Sequence, residues 1–188
     1  SSCAWDGNFG HTNGNGNVVT EDREVADFTE VKGTSGIDVY LNEGNENKVV
    51  VEADENLMVQ IETYVEDDRL IIRTEGSIGK SKAKKVYVTY TDLEKIIATS
   101  GADVIGQSII KAETIMLEAS SGADLDVEVF AKKVYAETSS GSGIKVSGKA
   151  TSLRADASSG SDLNARNLFV VDCRADASSG ADITVNVK

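Results

Sequence analysis

One phrase recurs five times at a nearly constant interval, and that interval constrains the fold more than any other property of the chain. Ser-Gly-Ala-Asp or a close variant occupies Ser100–Asp103, Ser121–Asp124, Ser140–Gly143, Ser159–Asp162 and Ser179–Asp182. Its glycines, Gly101, Gly122, Gly141, Gly160 and Gly180, lie 21, 19, 19 and 20 residues apart. A period near 20 marks stacked repeats, each too small to bury its apolar face alone.

Reading the repeats in register shows what each unit is. Two residues before each phrase stand Ala98, Ala119, Thr138, Ala157 and Ala177; two further back stand Ile96, Leu117, Ala136, Ala155 and Ala175. Ile115, Val134, Leu153 and Cys173 precede these in the last four repeats, and Val104, Leu125, Ile144, Leu163 and Ile183 follow the phrases. Alternation with a period of 2 on both sides of a glycine is the pattern of strands that bend at a corner. Glycine takes a positive φ without strain, and serine hydroxyls can bond corner backbone groups. The expected fold is all-β: a right-handed, single-stranded parallel β-helix with about 20 residues per coil. No segment keeps an apolar period of 3.6 over three turns, although Asp54–Val59 could form one helical turn.

The leading part of the chain is less regular. Residues 1–17 are rich in Gly and Asn and read as a flexible tether. Residues 18–188 then read as one β-helix domain, with less regular lead-in coils over 18–92 and regular coils over 93–188. Strand signals in the lead-in include Asp27–Lys32, Ile37–Leu41, Lys48–Glu52, Val59–Val65, Leu70–Arg73 and Val86–Tyr90.

Composition removes several function classes. Lys and Arg number 19 against 31 Asp and Glu, a formal charge of −12, which disfavours nucleic acid as a partner. The single histidine, His11, and two cysteines, Cys3 and Cys173, leave little material for a histidine triad or a zinc site. No cofactor is expected. A polysaccharide hydrolase needs two carboxylates across a groove, and sugar subsites usually want aromatic platforms. No such pair stands out, and no outward aromatic column is evident. An enzyme is therefore the least favoured reading.

Two stretches carry a family resemblance. Val25–Thr74 at the front, and the coils IIATSGADVIG, LEASSGADLDV, YAETSSGSGIKVSGKA, LRADASSGSDLNA and CRADASSGADITV at the back, resemble the bacterial family called putative auto-transporter adhesin, head GIN domain. The resemblance implies a β-helical fold and a secreted or lipid-anchored protein of the bacterial envelope. It brings no catalytic residues.

Several residues invite a functional reading. Small residues precede Cys3 as at the end of a lipoprotein signal, so Cys3 is the expected lipid anchor, with residues 4–17 as spacer. Asp103, Asp124, Asp162 and Asp182 form one outward column interrupted by Gly143. Turn-capping is the simpler role for them, and calcium binding the alternative. Glu118, Glu137, Asp156 and Asp176 form a second acidic column beside Tyr135, Arg154 and Arg174, which reads as a solvated ion-pair face or a charged docking stripe. Lys80, Lys82, Lys84 and Lys85 read as a solvated hairpin loop, and Cys173 as a core residue.

The expected function is a non-catalytic envelope binding or scaffold protein, an adhesin whose partner is a surface protein or glycan. An exported outer-membrane lipoprotein fits this reading, displayed on either side of that membrane. The alternative is a self-assembling structural protein that pairs with its own copies through a β-helix edge.

Overall fold

The computed structural model describes residues 11–188. Its strands in chain order are β1 (Val18–Arg23), β2 (Glu30–Gly33), β3 (Asp38–Glu43), β4 (Lys48–Asp54), β5 (Ile61–Glu66), β6 (Arg69–Thr74) and β7 (Lys84–Tyr90). They continue as β8 (Lys95–Ala98), β9 (Asp103–Gly106), β10 (Ile110–Ala119), β11 (Asp124–Thr138), β12 (Gly143–Ala157), β13 (Asp162–Ala177) and β14 (Asp182–Val187). From β8 onward successive coils pair in parallel, so the all-β solenoid expected from the repeat is the fold. The expected helical turn is present as a 3-10 turn over Glu55–Gln60, which delays the strand expected from Val59 until Ile61.

Each corner is a tight turn with two left-handed residues in a row. The serines have φ of 52° to 61° and the glycines 64° to 75°. The residue after glycine donates its N–H to the carbonyl three positions earlier, as Ala102 does to Thr99 at 3.2 Å and Ala123 to Ser120 at 3.2 Å. Positive φ at both central positions defines a type I′ turn. Glycine fits that geometry freely, whereas serine tolerates it at a cost. The corner also continues the ladder. Gly101, Gly122, Gly141 and Gly160 each donate their N–H to the serine carbonyl one coil on, at 3.1 Å.

In the five regular corners the bonding hydroxyls are not those of the corner serines. Ser100, Ser121, Ser140, Ser159 and Ser179 are exposed, because positive φ turns their side chains outward. Instead Ser142 Oγ donates to the Ala119 carbonyl at 2.8 Å and accepts from the Ser139 N–H. Ser161 Oγ bonds Thr138 Oγ1 at 2.9 Å and accepts from the Ser158 N–H. These two hydroxyls are buried where other coils carry alanine, and hydrogen bonding offsets the cost of burying them.

The apolar columns stack in the expected register. Leu125 lies between Val104 and Ile144, and Leu117 between Ile96 and Ala136. Like residues thus form one continuous core cluster from Phe28 to Val170. A second bend appears where alternation slips. Lys132 and Lys133 are consecutive exposed residues, and the pairing register skips Glu113, Lys132 and Thr151. Gly148 sits at a bulge with φ of 107°, and a Cβ there would lie 2.0 Å from the Val129 carbonyl oxygen.

The lead-in region contains a sixth corner. Ser35-Gly36-Ile37-Asp38 repeats the geometry, and Gly36 donates to the Ser100 carbonyl at 3.0 Å. The coil of β2 and β3 therefore stacks on that of β8 and β9, far along the chain. The intervening segment runs outward and closes the stack. β6 pairs in parallel with β2, and β7 with β3; β5, β4 and β1 then add antiparallel strands.

Residues 11–17 do not behave as the tether expected of them. Thr12 donates to the Ser77 carbonyl at 3.0 Å, and Gly14 to that of Lys80 at 2.7 Å. The carboxylate of Asp54 accepts N–H bonds from Gly16, Lys82 and Ala83, all at 2.9 Å. The buried Asp54 carboxylate thus joins Gly16 of this segment to Lys82 and Ala83 of the connection before β7.

Two glycine substitutions separate conformational strain from collision. Gly122→Ala meets no atom within 4 Å, so it should lose only about 1–2 kcal/mol through left-handed strain. Gly148→Ala adds the collision with Val129 and should destabilise the protein by more. Urea denaturation of both variants measures the difference.

Candidate binding surface

The parallel register converts side chains spaced by about 20 residues into outward columns one strand spacing apart, about 4.8 Å. Every such column is a candidate site, and the chemistry depends on what each contains.

The acidic corner column exists as expected and is longer than expected. Asp103 stands between Asp38 and Asp124 in register; Gly143, Asp162 and Asp182 continue the row, and Lys85 and Glu52 extend it beyond Asp38. Gly143 does more than interrupt it. A Cβ there would lie 2.7 Å from Asp124 Oδ1, so the Asp124 carboxylate occupies the space that glycine leaves. Burial, and then the charges of Asp38 and Asp124, push the Asp103 carboxyl above its ordinary value of 3.8. The four calcium candidates Asp103, Asp124, Asp162 and Asp182 stand in a row rather than around a point. Among the described residues no three or more His, Cys, Asp or Glu side chains gather as a metal site would require.

The second acidic column, Glu118, Glu137, Asp156 and Asp176, lies on the other side of the same corner. Its ion pairs run mostly along the strand. Arg154 reaches Asp156 at 3.3 Å and Arg174 reaches Asp176 at 3.5 Å, while Lys95 reaches Glu118 across coils at 3.0 Å. Such exposed pairs each contribute about 1 kcal/mol or less. Met116, Tyr135 and Arg154 follow one another in the adjacent column and line a shallow groove with Glu118, Glu137 and Asp156.

The opposite, second bend is different. One outward column there reads Lys111, Phe130, Lys149, Phe169 and Asn186. Phe130 and Phe169 are 56% and 45% exposed. Lys149 Nζ lies 5.9 Å from the Phe130 ring centre, and Lys188 Nζ lies 5.1 Å from that of Phe169. This aromatic column was not evident in the sequence, because the two rings lie two coils apart with a lysine between them. A second aromatic pair, Tyr40 stacked on Tyr87 at 5.2 Å, lies on a different outward column. Acidic columns thus flank the serine-glycine corner, whereas at the second bend lysines and phenylalanines share one column with carboxylates on either side.

Three further expectations concern single residues or a short run. Cys3, the expected lipid anchor, lies outside the described residues. Cys173 takes its place in the Leu153 column but is only half-buried, because it belongs to the last coil. Burial still raises its thiol pKa, which disfavours the thiolate. Lys80 and Lys82 are in a connection, but Lys84 and Lys85 begin β7, and Lys85 lies between Glu52 and Asp38. No hairpin is formed there, because β6 and β7 pair with different strands, β2 and β3.

The described residues form an all-β solenoid whose outward columns carry its charged and aromatic side chains. The chain belongs to the family described as putative auto-transporter adhesin, head GIN domain, whose model matches residues 27–188. Solved structures share the fold. A putative adhesin from Bacteroides fragilis is similar with a TM-score of 0.88 at 17% identity, covering 94% of this chain and 84% of that one. A putative adhesin from Parabacteroides distasonis has a TM-score of 0.83 at 17% identity, with 94% and 84% covered. A putative lipid binding protein from the same species has a TM-score of 0.73 at 16% identity, with 94% and 85% covered. No functionally curated protein matches the sequence.

The raised Asp103 carboxyl makes a signed prediction. Its environment favours the protonated form, so its contribution to stability is present below the unfolded value of 3.8 and is lost as pH rises through the folded value. Asp103→Asn should therefore be more stable than the parent at about pH 7, with the gap closing toward about pH 3. Denaturant midpoints at both pH values test this.

Proposed function

We propose that this chain is a non-catalytic binding module of the bacterial envelope, an adhesin or scaffold that presents its outward columns to a surface ligand. The observation that carries the reading is the set of chemically distinct outward columns on a regular stack, in a family and among structural neighbours named as putative adhesins. Regular coils hold outward side chains at fixed spacing, which suits recognition of an extended partner. Export and lipidation at Cys3, with the residues up to about His11 as spacer, complete the proposal for an outer-membrane lipoprotein.

Protease treatment of intact producing cells tests display, with antibody detection and a lysed control. Loss of the domain from intact cells is expected of an adhesin. Protection in intact cells with cleavage after lysis would remove the adhesin role and leave a periplasmic scaffold. The enzyme alternative predicts release of reducing sugar that Asp103→Asn abolishes; no such release is expected.

One observation favours self-assembly as a second reading. In the last described coil Ala175, Ala177, Val185 and Val187 are exposed, although earlier members of the Ala175 and Ala177 columns are buried. An exposed strand edge is a template for pairing with another chain. A rise in mass with concentration by light scattering, abolished by Val185→Lys, would support assembly through that edge. A constant monomer mass would exclude it.

A further inference from the structure

We propose that the second bend binds a linear acidic polysaccharide laid along the solenoid axis, one in which an acidic sugar alternates with a neutral sugar. The inference rests on the binding-module reading and supplies its ligand class. Lys111, Phe130, Lys149 and Phe169 occupy one outward column on successive coils, so cations and rings alternate along a straight line. Lys111 and Lys149 are two coils apart, about 10 Å. A pyranose unit in an extended chain advances it by close to one strand spacing. Acidic groups on every second sugar therefore meet the lysines, and the neutral sugars between them meet the exposed rings.

Charge and order both support this occupant. The protein as a whole carries −12, yet this column contains no carboxylate. Among the described residues Lys149 has no ion-pair partner, and Lys111 approaches Glu43 only at 4.0 Å. Contact with Phe130 holds the Lys149 ammonium over the sheet, which reduces the side-chain freedom lost on binding. Carboxylates lie to either side of the column. Glu113 pairs with Lys132 at 3.0 Å on one flank, and Glu128 and Asp126 are exposed on the other. A broad anionic membrane would meet these acids as well as the lysines, whereas a single chain along the axis avoids them.

Equilibrium binding of fluorescent hyaluronan oligosaccharides to the full chain tests the proposal, with neutral dextran and phosphatidylglycerol vesicles as comparators. Hyaluronan should bind, more weakly as salt rises, and dextran should not. The exposed double change Phe130→Ala/Phe169→Ala should weaken binding roughly tenfold. Lys149→Gln should also weaken it, whereas Lys145→Gln, on a different column, should not. Absence of hyaluronan binding, loss that is equal for Lys145→Gln, or binding to vesicles alone would overturn the proposal. If hyaluronan fails to bind while the same Phe and Lys149 variants reduce attachment of displaying cells, the ligand class is wrong and the binding-module reading stands.

Discussion

The fold depends on a backbone ladder that does not stop at the corner. Strands in a parallel stack lose their pairing wherever the chain turns, unless the turn itself pairs. Here the N–H of each corner glycine from Gly36 to Gly160 donates to the serine carbonyl of the neighbouring coil, at 3.0 to 3.1 Å. Each turn is therefore both a bend and a rung. Consecutive left-handed serine and glycine are the condition for that geometry, and they force the coils into one register. With register held, apolar columns, acidic rows and the lysine-phenylalanine line all follow.

The coils between β8 and β14 repeat, whereas the coil of β2 and β3 is closed over. At one end the chain folds back through β4, β1 and β5 as antiparallel strands, and Asp54 fastens the segment around Gly16 beside them. Three N–H bonds, that from Ala83 foremost, hold the Asp54 carboxyl below its ordinary value despite its burial. That contribution is present above the unfolded pKa and fades as acid protonates the carboxylate, so acid should loosen this closure. The other end leaves small apolar residues of the last described coil exposed. Between the ends, flat faces and two bends carry chemically distinct surfaces. The same register that sets acids on both sides of Asp103 leaves the lysines on the far bend free of acids within their own column.

Much of this architecture was legible from residue spacing. The four apolar columns, the acidic rows and the glycine corners appear in the expected register. The sixth corner at Gly36 does not show in the period, because 65 residues separate it from Gly101 and the insertion between them folds outward and returns. Over residues 11–17 glycine and asparagine report local freedom. They do not report that Asp54 and the connection at Lys80 supply partners for these residues. The aromatic line was hidden because Lys149 interleaves the rings and the column is not made of like residues.

By itself the sequence determined the coil, since alternation of period 2 around a recurring serine-glycine turn admits few other structures. It also determined which side chains face outward in each regular coil, because alternation leaves only two sides. Tertiary structure alone decided the order of the coils at the closed end, where strands distant in sequence become neighbours. It decided as well which outward columns lie on the same bend, because that depends on where Lys132 and Lys133 break the alternation. Local pattern specifies a strand and its faces; only the closed stack specifies which faces meet.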